Sequence, residues 1–179
     1  TEKLAALGVA RVALTTSTRV RPELHEIARK LNRPISPITL SCIGIDVLGE
    51  EMGTLGFLEA AHAFGSFDYG RKYNAATYIN LIYVEEAYRR SGIAAALLDT
   101  LPAALLGTHA VSAGVLVLAP APYQKAAPGS YVQLQGLDFW MGKMRLTRIY
   151  EHLGFEVVDL FGMVKDPERK ASKPGPGAD

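Results

Sequence analysis

Cysteine is almost missing from this chain: Cys42 is the only one in 179 residues. One thiol excludes an internal disulfide framework and any zinc site built on several cysteines. Cys42 itself reads as a nucleophile or as a small apolar core residue, and its surroundings in "ITLSCIGI" favour the second. A charge excess is missing too, since 19 basic residues stand against 18 acidic ones for a net charge of +1. That balance argues against a dedicated nucleic-acid binder. No apolar run reaches the roughly 18 residues of a membrane span, and "TEKLAALGVA" carries no secretory signal. The expectation is a cytoplasmic protein with no nucleic-acid and no membrane partner. The last stretch, "KDPERKASKPGPGAD", lacks bulky apolar residues and is rich in proline and glycine. The expected organisation is one domain over residues 1–166 and a disordered tail over 167–179.

What the chain does have is apolar patterning, with 49% hydrophobic residues. "ARVALTTST" is β-branched enough for a strand. "RPELHEIARKLN" spaces Leu24, Ile27, Ala28 and Leu31 by three and four, the mark of an amphipathic helix, and "RPISP" ends it. "ITLSCIGIDV" reads as a strand that turns at "LGEEMG" into a returning arm, "TLGFLEAAHAF", whose second half also suits a short helix. "GSFDYGRKYNAA" reads as a polar loop. "TYINLIYV" reads as a buried central strand. "SGIAAALLDTL" is a helix that Pro102 bends or ends, and "AVSAGVLVL" is another strand. "APAPYQKAAPGSYVQLQ" is a long loop. "GLDFWMGKMRLTRIYEHLGF" is a helix with Leu137, Trp140, Met141 and Met144 on one apolar face, continued by Ile149, Tyr150 and Leu153 and capped by Gly154. "FEVVDL" and "FGMVKD" close the chain as short strands. The fold class is mixed α/β around one sheet.

The chemistry gathers where "TYINLIYV" gives way to "EEAYRRSGIAAALL". The first amides of a helix have no internal partner and lie at the positive end of its dipole, so they form an anion site. Gly92 has no side chain to obstruct them, Ala94 and Ala95 have little more, and Arg89 and Arg90 add charge. The pattern fits a pyrophosphate cradle made mainly of backbone amides; a capped helix beside a solvated arginine pair fits it equally well. No Gly-Lys-Ser/Thr loop is present, and the three-glycine dinucleotide fingerprint is absent.

"YVEEAYRRSGIAAALL" resembles the signature of the GNAT superfamily of N-acetyltransferases, in which a strand leads through a turn to an Arg/Gln-x-x-Gly-x-Gly/Ala loop and a helix. Here the loop is Arg89, Arg90, Ser91, Gly92, Ile93, Ala94. Downstream, "RIYEHLGFEVV" resembles a second block of the same family, with a strand between the two. The resemblance covers residues 77 to 166; the earlier part matches as an order of elements. It implies a GNAT-like fold: a mostly antiparallel twisted sheet, splayed at a V-shaped opening and flanked by helices. It implies acetyl-coenzyme A as acyl donor and no metal. Arg89 through Ala94 would bind the pyrophosphate, and the edge at Ile82, Tyr83 and Val84 would pair with the pantetheine arm. An amide there would hold the acyl oxygen. Tyr150 would protonate the departing thiolate.

The implied reaction is direct attack by an amine, with the acceptor a small molecule or a peptide or protein amine. "TYINLIYV" carries no carboxylate, where family members often have one. Glu59, His62, Asp68, Glu85, Glu86 and His109 are the candidates for the base, and none is assigned. "VLVLAPAP" ends in alanine and proline where an asparagine is common. Tyr123 and Tyr131, with the "GSFDYGRKYN" loop, form an acceptor wall or pack on themselves. A catalytically degenerate coenzyme A sensor or scaffold is the alternative function, and a different acyl group is a third reading. A homodimer is left open.

Overall fold

The computed structural model describes residues 12–20, 41–49, 53–127, 130–159 and 162–169, side chains being described from residue 54 onward except at 108 and 109. The helix expected over "RPELHEIARKLN", the break at "RPISP", residues 50–52 of the "LGEEMG" turn and the tail from residue 170 lie outside the described residues.

Among the described residues, nine strands and two long helices follow one another. They are β1 (Val12–Val20), β2 (Ser41–Gly49), β3 (Gly53–Asp68), β4 (Lys72–Val84), α1 (Ile93–His109), β5 (Val115–Leu118), β6 (Tyr123–Ala127), β7 (Ser130–Gln133), α2 (Gly136–His152), β8 (Glu156–Val157) and β9 (Met163–Lys165). A 3-10 turn, Glu86–Tyr88, links β4 to α1. The main sheet has the order β1-β2-β3-β4-β5-β9-β8, and β6 with β7 forms a separate hairpin. Every described pairing is antiparallel except β4 with β5. The fold class is mixed α/β, one mostly antiparallel sheet with helices against it.

A parallel pair needs a crossover, and α1 supplies it. Its apolar residues Leu97, Leu98, Leu101 and Leu105 pack with Leu55, Leu58, Ala60 and Ile79 of the antiparallel arm and with Leu116 and Leu118 of β5. On the opposite face Ala63, Phe67, Ala76, Val115 and Val164 form a second cluster. Strand alternation sends successive residues to these two sides.

Two local readings change and two open alternatives close. The segment 65–76 is a strand continuation and not a polar loop: β3 reaches Asp68 and β4 starts at Lys72, with Phe67 opposite Tyr73. Polar residues suffice there because backbone pairing across the hairpin, resumed after a bulge between Phe64 and Phe67, holds the two arms. "FLEAAHAF" is strand throughout. Pro102 does not end α1, which continues to His109; proline removes one donor, while the buried leucines on both sides hold the helix on the sheet. The long loop after β5 is instead the β6–β7 hairpin, with Tyr123 opposite Gln133 and Lys125 opposite Tyr131.

The apolar face of α2 is the largest correction. Leu137 (73% exposed), Trp140 (57%), Met141 and Met144 point to solvent. The helix turns its other side inward. An added Cβ on Gly142 would lie 2.6 Å from Pro122, Lys143 Nζ donates to the Pro120 carbonyl at 3.0 Å, and Tyr150 is buried. The small residue sets the contact side, because it lets the helix approach the chain leaving β5.

Candidate functional site

β4 pairs with β5 only from Ala76–Val115 to Ile79–Leu118. β4 then runs on to Val84 while β5 has ended, and this leaves an open edge at Ile82, Tyr83 and Val84. Glu85 N–H donates to Leu55 O on the β3 side at 2.8 Å. By alternation the Val84 carbonyl faces the other way, toward the opening.

The turn that follows has unusual backbone. Arg90 has φ +59° and Gly92 has φ +85°, both left-handed. Such alternation turns neighbouring amides toward one concave side. The first intrahelical bond runs from Ala96 N–H to Gly92 O at 3.0 Å. The amides of Ile93, Ala94 and Ala95, ahead of it, have no helix carbonyl to reach. Ile93 itself is buried in the α1 core, and its Cγ2 would lie 3.1 Å from a Cβ on Gly56. That anchor fixes where α1 begins. Ser91 is buried and its hydroxyl donates to the Tyr88 carbonyl, so its side chain braces the turn.

The arginines divide. Arg90 is exposed. Arg89 does not project beside the helix start as expected: its Nε donates to the Val84 carbonyl at 2.9 Å, and its guanidinium lies 5.4 Å from the Tyr83 ring centroid. It therefore occupies the strand edge where the family resemblance implies a pantetheine arm.

Tyr150 lies on the inward side of α2 in the same core as Ile79 and Leu118, the last pair before the strands part. Its ring meets Phe155 edge-on at 5.8 Å, and its carbonyl accepts the Phe155 amide at 2.9 Å. Gly154, with φ +96°, makes that tight return. Burial pushes the phenol well above its ordinary value, because the phenolate would lose its hydration.

The base candidates separate clearly. Asp68 pairs with Lys72, at the far end of β4 and roughly 40 Å along the strand from Val84, so it is remote from the opening. His62 is buried, and its Nδ1 is 3.0 Å from the Thr77 hydroxyl. That hydroxyl donates to the Ala113 carbonyl at 2.7 Å, which leaves it to accept from His62 Nδ1–H. Glu86 is exposed. Glu85 receives Lys125 Nζ at 2.8 Å. The His109 side chain lies outside the described residues. Glu59 is 5% exposed and stands opposite Leu81 of β4, beside the stretch that β5 leaves open. Among the described residues no three His, Cys, Asp or Glu side chains gather to hold a metal ion, and no helix is long and apolar enough to cross a membrane.

Sequence reasoning missed how the hairpin meets the sheet. The Tyr131 ring lies 4.7 Å from Tyr83 and 5.1 Å from Phe57. The Pro128-Gly129 turn signal between two short alternating runs was the available clue.

No family model matches the sequence, and no curated protein matches it. Among solved structures, the chain is similar to Arabidopsis thaliana NAA60 in complex with acetyl-CoA, at 12% identity, over 85% of this chain and 97% of that one, with a TM-score of 0.46. It is also similar to the aminoglycoside antibiotic 6'-N-acetyltransferase AAC(6')-Ih from Acinetobacter baumannii, at 13% identity, over 82% and 93% of the two chains, with a TM-score of 0.46. A mutant AtaT toxin bound to the C-terminus of the antitoxin AtaR and acetyl-CoA is similar at 11% identity, over 85% and 92%, with a TM-score of 0.46.

Proposed function

We propose that this chain is an acetyltransferase that takes acetyl-coenzyme A as acyl donor and delivers the acetyl group to a primary amine. The turn between β4 and α1 carries the reading. Two left-handed residues, Arg90 and Gly92, open the first amides of α1 beside a strand edge that β5 has left. A pyrophosphate needs donors without bulk, and an extended pantetheine arm needs a strand edge. Neighbouring stretches of one segment meet both needs. The space where a Gly92 Cβ would sit holds no heavy atom within 4 Å, so a phosphate has room there.

Acetyl-coenzyme A, when bound, supplies an acyl carbonyl activated as a thioester. The Ile82–Val84 edge orients the arm, and an amide of that edge donates to the acyl oxygen. Arg89 yields the Val84 carbonyl and adds charge near the phosphates. Tyr150, a phenol that holds its proton at neutral pH, has one to give to the departing sulfur. The acceptor reaches the carbonyl from the face opposite α1, since α1 fills the other.

Two measurements test this together: calorimetric titration with acetyl-coenzyme A, and free-thiol release over a panel of amines. Failure to bind acetyl-coenzyme A sinks the reading. A second reading, a coenzyme A binder without turnover, draws on the lack of a carboxylate in "TYINLIYV". It requires binding without thiol release for every amine.

A further inference from the structure

We propose that the outward face of α2 is an interface between two copies of this chain. The two α2 helices lie antiparallel across a two-fold axis at the level of Met141 and Gly142. This inference does not depend on the acetyl-transfer reading above.

Helical spacing puts Leu137, Trp140, Met141 and Met144 in one stripe, about 100° wide, along the first turns of α2. Leu146, Tyr150 and Leu153 lie on the opposite side and pack with the core. The helix is therefore already seated, and the stripe is not needed to hold it. Leu137 is 73% exposed, Trp140 57%, Met141 49% and Met144 61%. Side chains of this size leave on the order of 500 Å² of apolar surface in water. The largest patch on a monomer is typically about 300–600 Å² and often marks an interaction site.

The charges beside the stripe say what covers it. Asp138 and Arg145 border it on the same flank, two turns apart. That spacing is too long for an ion pair within one helix. Both are exposed, and neither forms an ion pair among the described residues. A two-fold axis that relates antiparallel helices lays each flank against the same flank of the other copy. In the register where Asp138 meets Arg145 of the second copy, two such pairs form together, one on each side of the axis.

The apolar groups agree with that register. Met141 then lies against its own symmetry mate, with Trp140 beside it. Leu137 falls within one turn of Met144 of the second copy. Arg148, next along the line of the stripe, ends the apolar run and confines the overlap to the start of the helix. One patch that complements itself in both shape and charge is what an isologous contact requires. Two stripes pool about 1,000 Å² of apolar surface, and the charged rim brings the contact to the roughly 1,200 Å² where specific interfaces begin. A contact this small gives an exchanging dimer, with Kd about 10 µM.

The test pairs analytical ultracentrifugation of the full chain, at about 1–100 µM, with acrylamide quenching of its fluorescence. Trp140 is the only tryptophan, so quenching reads the stripe directly. The expected result is a monomer–dimer equilibrium in that range, with Trp140 becoming several-fold less quenchable as dimer forms. Met141→Glu sets two like charges against each other at the axis and should leave a monomer. Asp138→Arg should raise Kd at least about ten-fold. The double variant Asp138→Arg with Arg145→Asp should return it to within about three-fold of wild type. Each change is at an exposed side chain, and thermal melts check that the fold is kept. A wild type that stays monomeric to the top of the range overturns the proposal. Trp140 quenched freely there means no second copy docks; Trp140 protected at every concentration means another segment of this chain covers the stripe. A dimer that ignores Met141→Glu, or a charge swap that fails to restore association, overturns it as well.

Discussion

Gly92 has two physical reasons to be glycine, and substitution separates them. Its φ of +85° is a conformation that side chains disfavour, and a Cβ built there meets nothing within 4 Å. In the protein alone, then, Gly92→Ala carries only conformational strain, about 1–2 kcal/mol. For a domain of this size that lowers Tm by roughly 2–4 °C per kcal/mol. Asparagine tolerates the left-handed region better, so Gly92→Asn should unfold closer to wild type. Coenzyme A affinity should behave differently. If phosphate approaches the α1 amides where the Cβ would project, Ala and Asn weaken binding alike, and both by more than Arg90→Ala. Urea denaturation and calorimetry on the same four proteins decide the matter. Equal stability of Gly92→Ala and wild type refutes the strain argument. Undiminished coenzyme A affinity in Gly92→Ala, or a larger loss in Arg90→Ala, refutes the backbone cradle.

Gly114 is a harsher case: an added Cβ would lie 2.0 Å from the Ala75 carbonyl oxygen at φ +66°, so Gly114→Ala should cost upward of about 3 kcal/mol in denaturant melts. Thr77→Val removes the hydroxyl shared by His62 Nδ1 and the Ala113 carbonyl and should cost about 1–3 kcal/mol, read the same way. Tyr150 is protonated to higher pH in the folded chain than in the unfolded one. Stability from its burial is complete below the ordinary phenol value of about 10 and falls as pH rises past it. Tyr150→Phe should flatten that alkaline slope by one proton, roughly 1.4 kcal/mol per pH unit, measured by denaturation between pH 9 and 11.

The strand and the helix that flank the candidate site were legible in the sequence. "TYINLIYV" could only be a buried strand, and Gly92 before "IAAALL" marked where its helix begins. Both features are local, and local sequence controls them. The rotation of α2 was not legible. Periodicity reveals an apolar stripe, but Leu137, Trp140, Met141 and Met144 lost the inward side to Gly142, Lys143 and Tyr150. That choice depends on Pro122, which comes from another part of the fold. The contact of the β6–β7 hairpin with the sheet escaped for the same reason. Tyr131 and Phe57 are 74 positions apart in the chain, and nothing in either neighbourhood announces the other. Arg89 shows the limit from a third direction, since its charge was visible in the sequence but its return to the Val84 carbonyl was not.

The four-residue ladder between Ala76–Ile79 and Val115–Leu118 has a mechanical consequence. It is the seam where the long antiparallel meander β1–β4 meets the short-stranded half built on β5, β9 and β8. A guest chain lying between β4 and the end of β5 would work as mortar in that joint. Amides of Thr77 to Ile79 and of Leu116 to Leu118 should then exchange hydrogen more slowly once the joint is filled, while the outer strands β1 and β2 keep their rates.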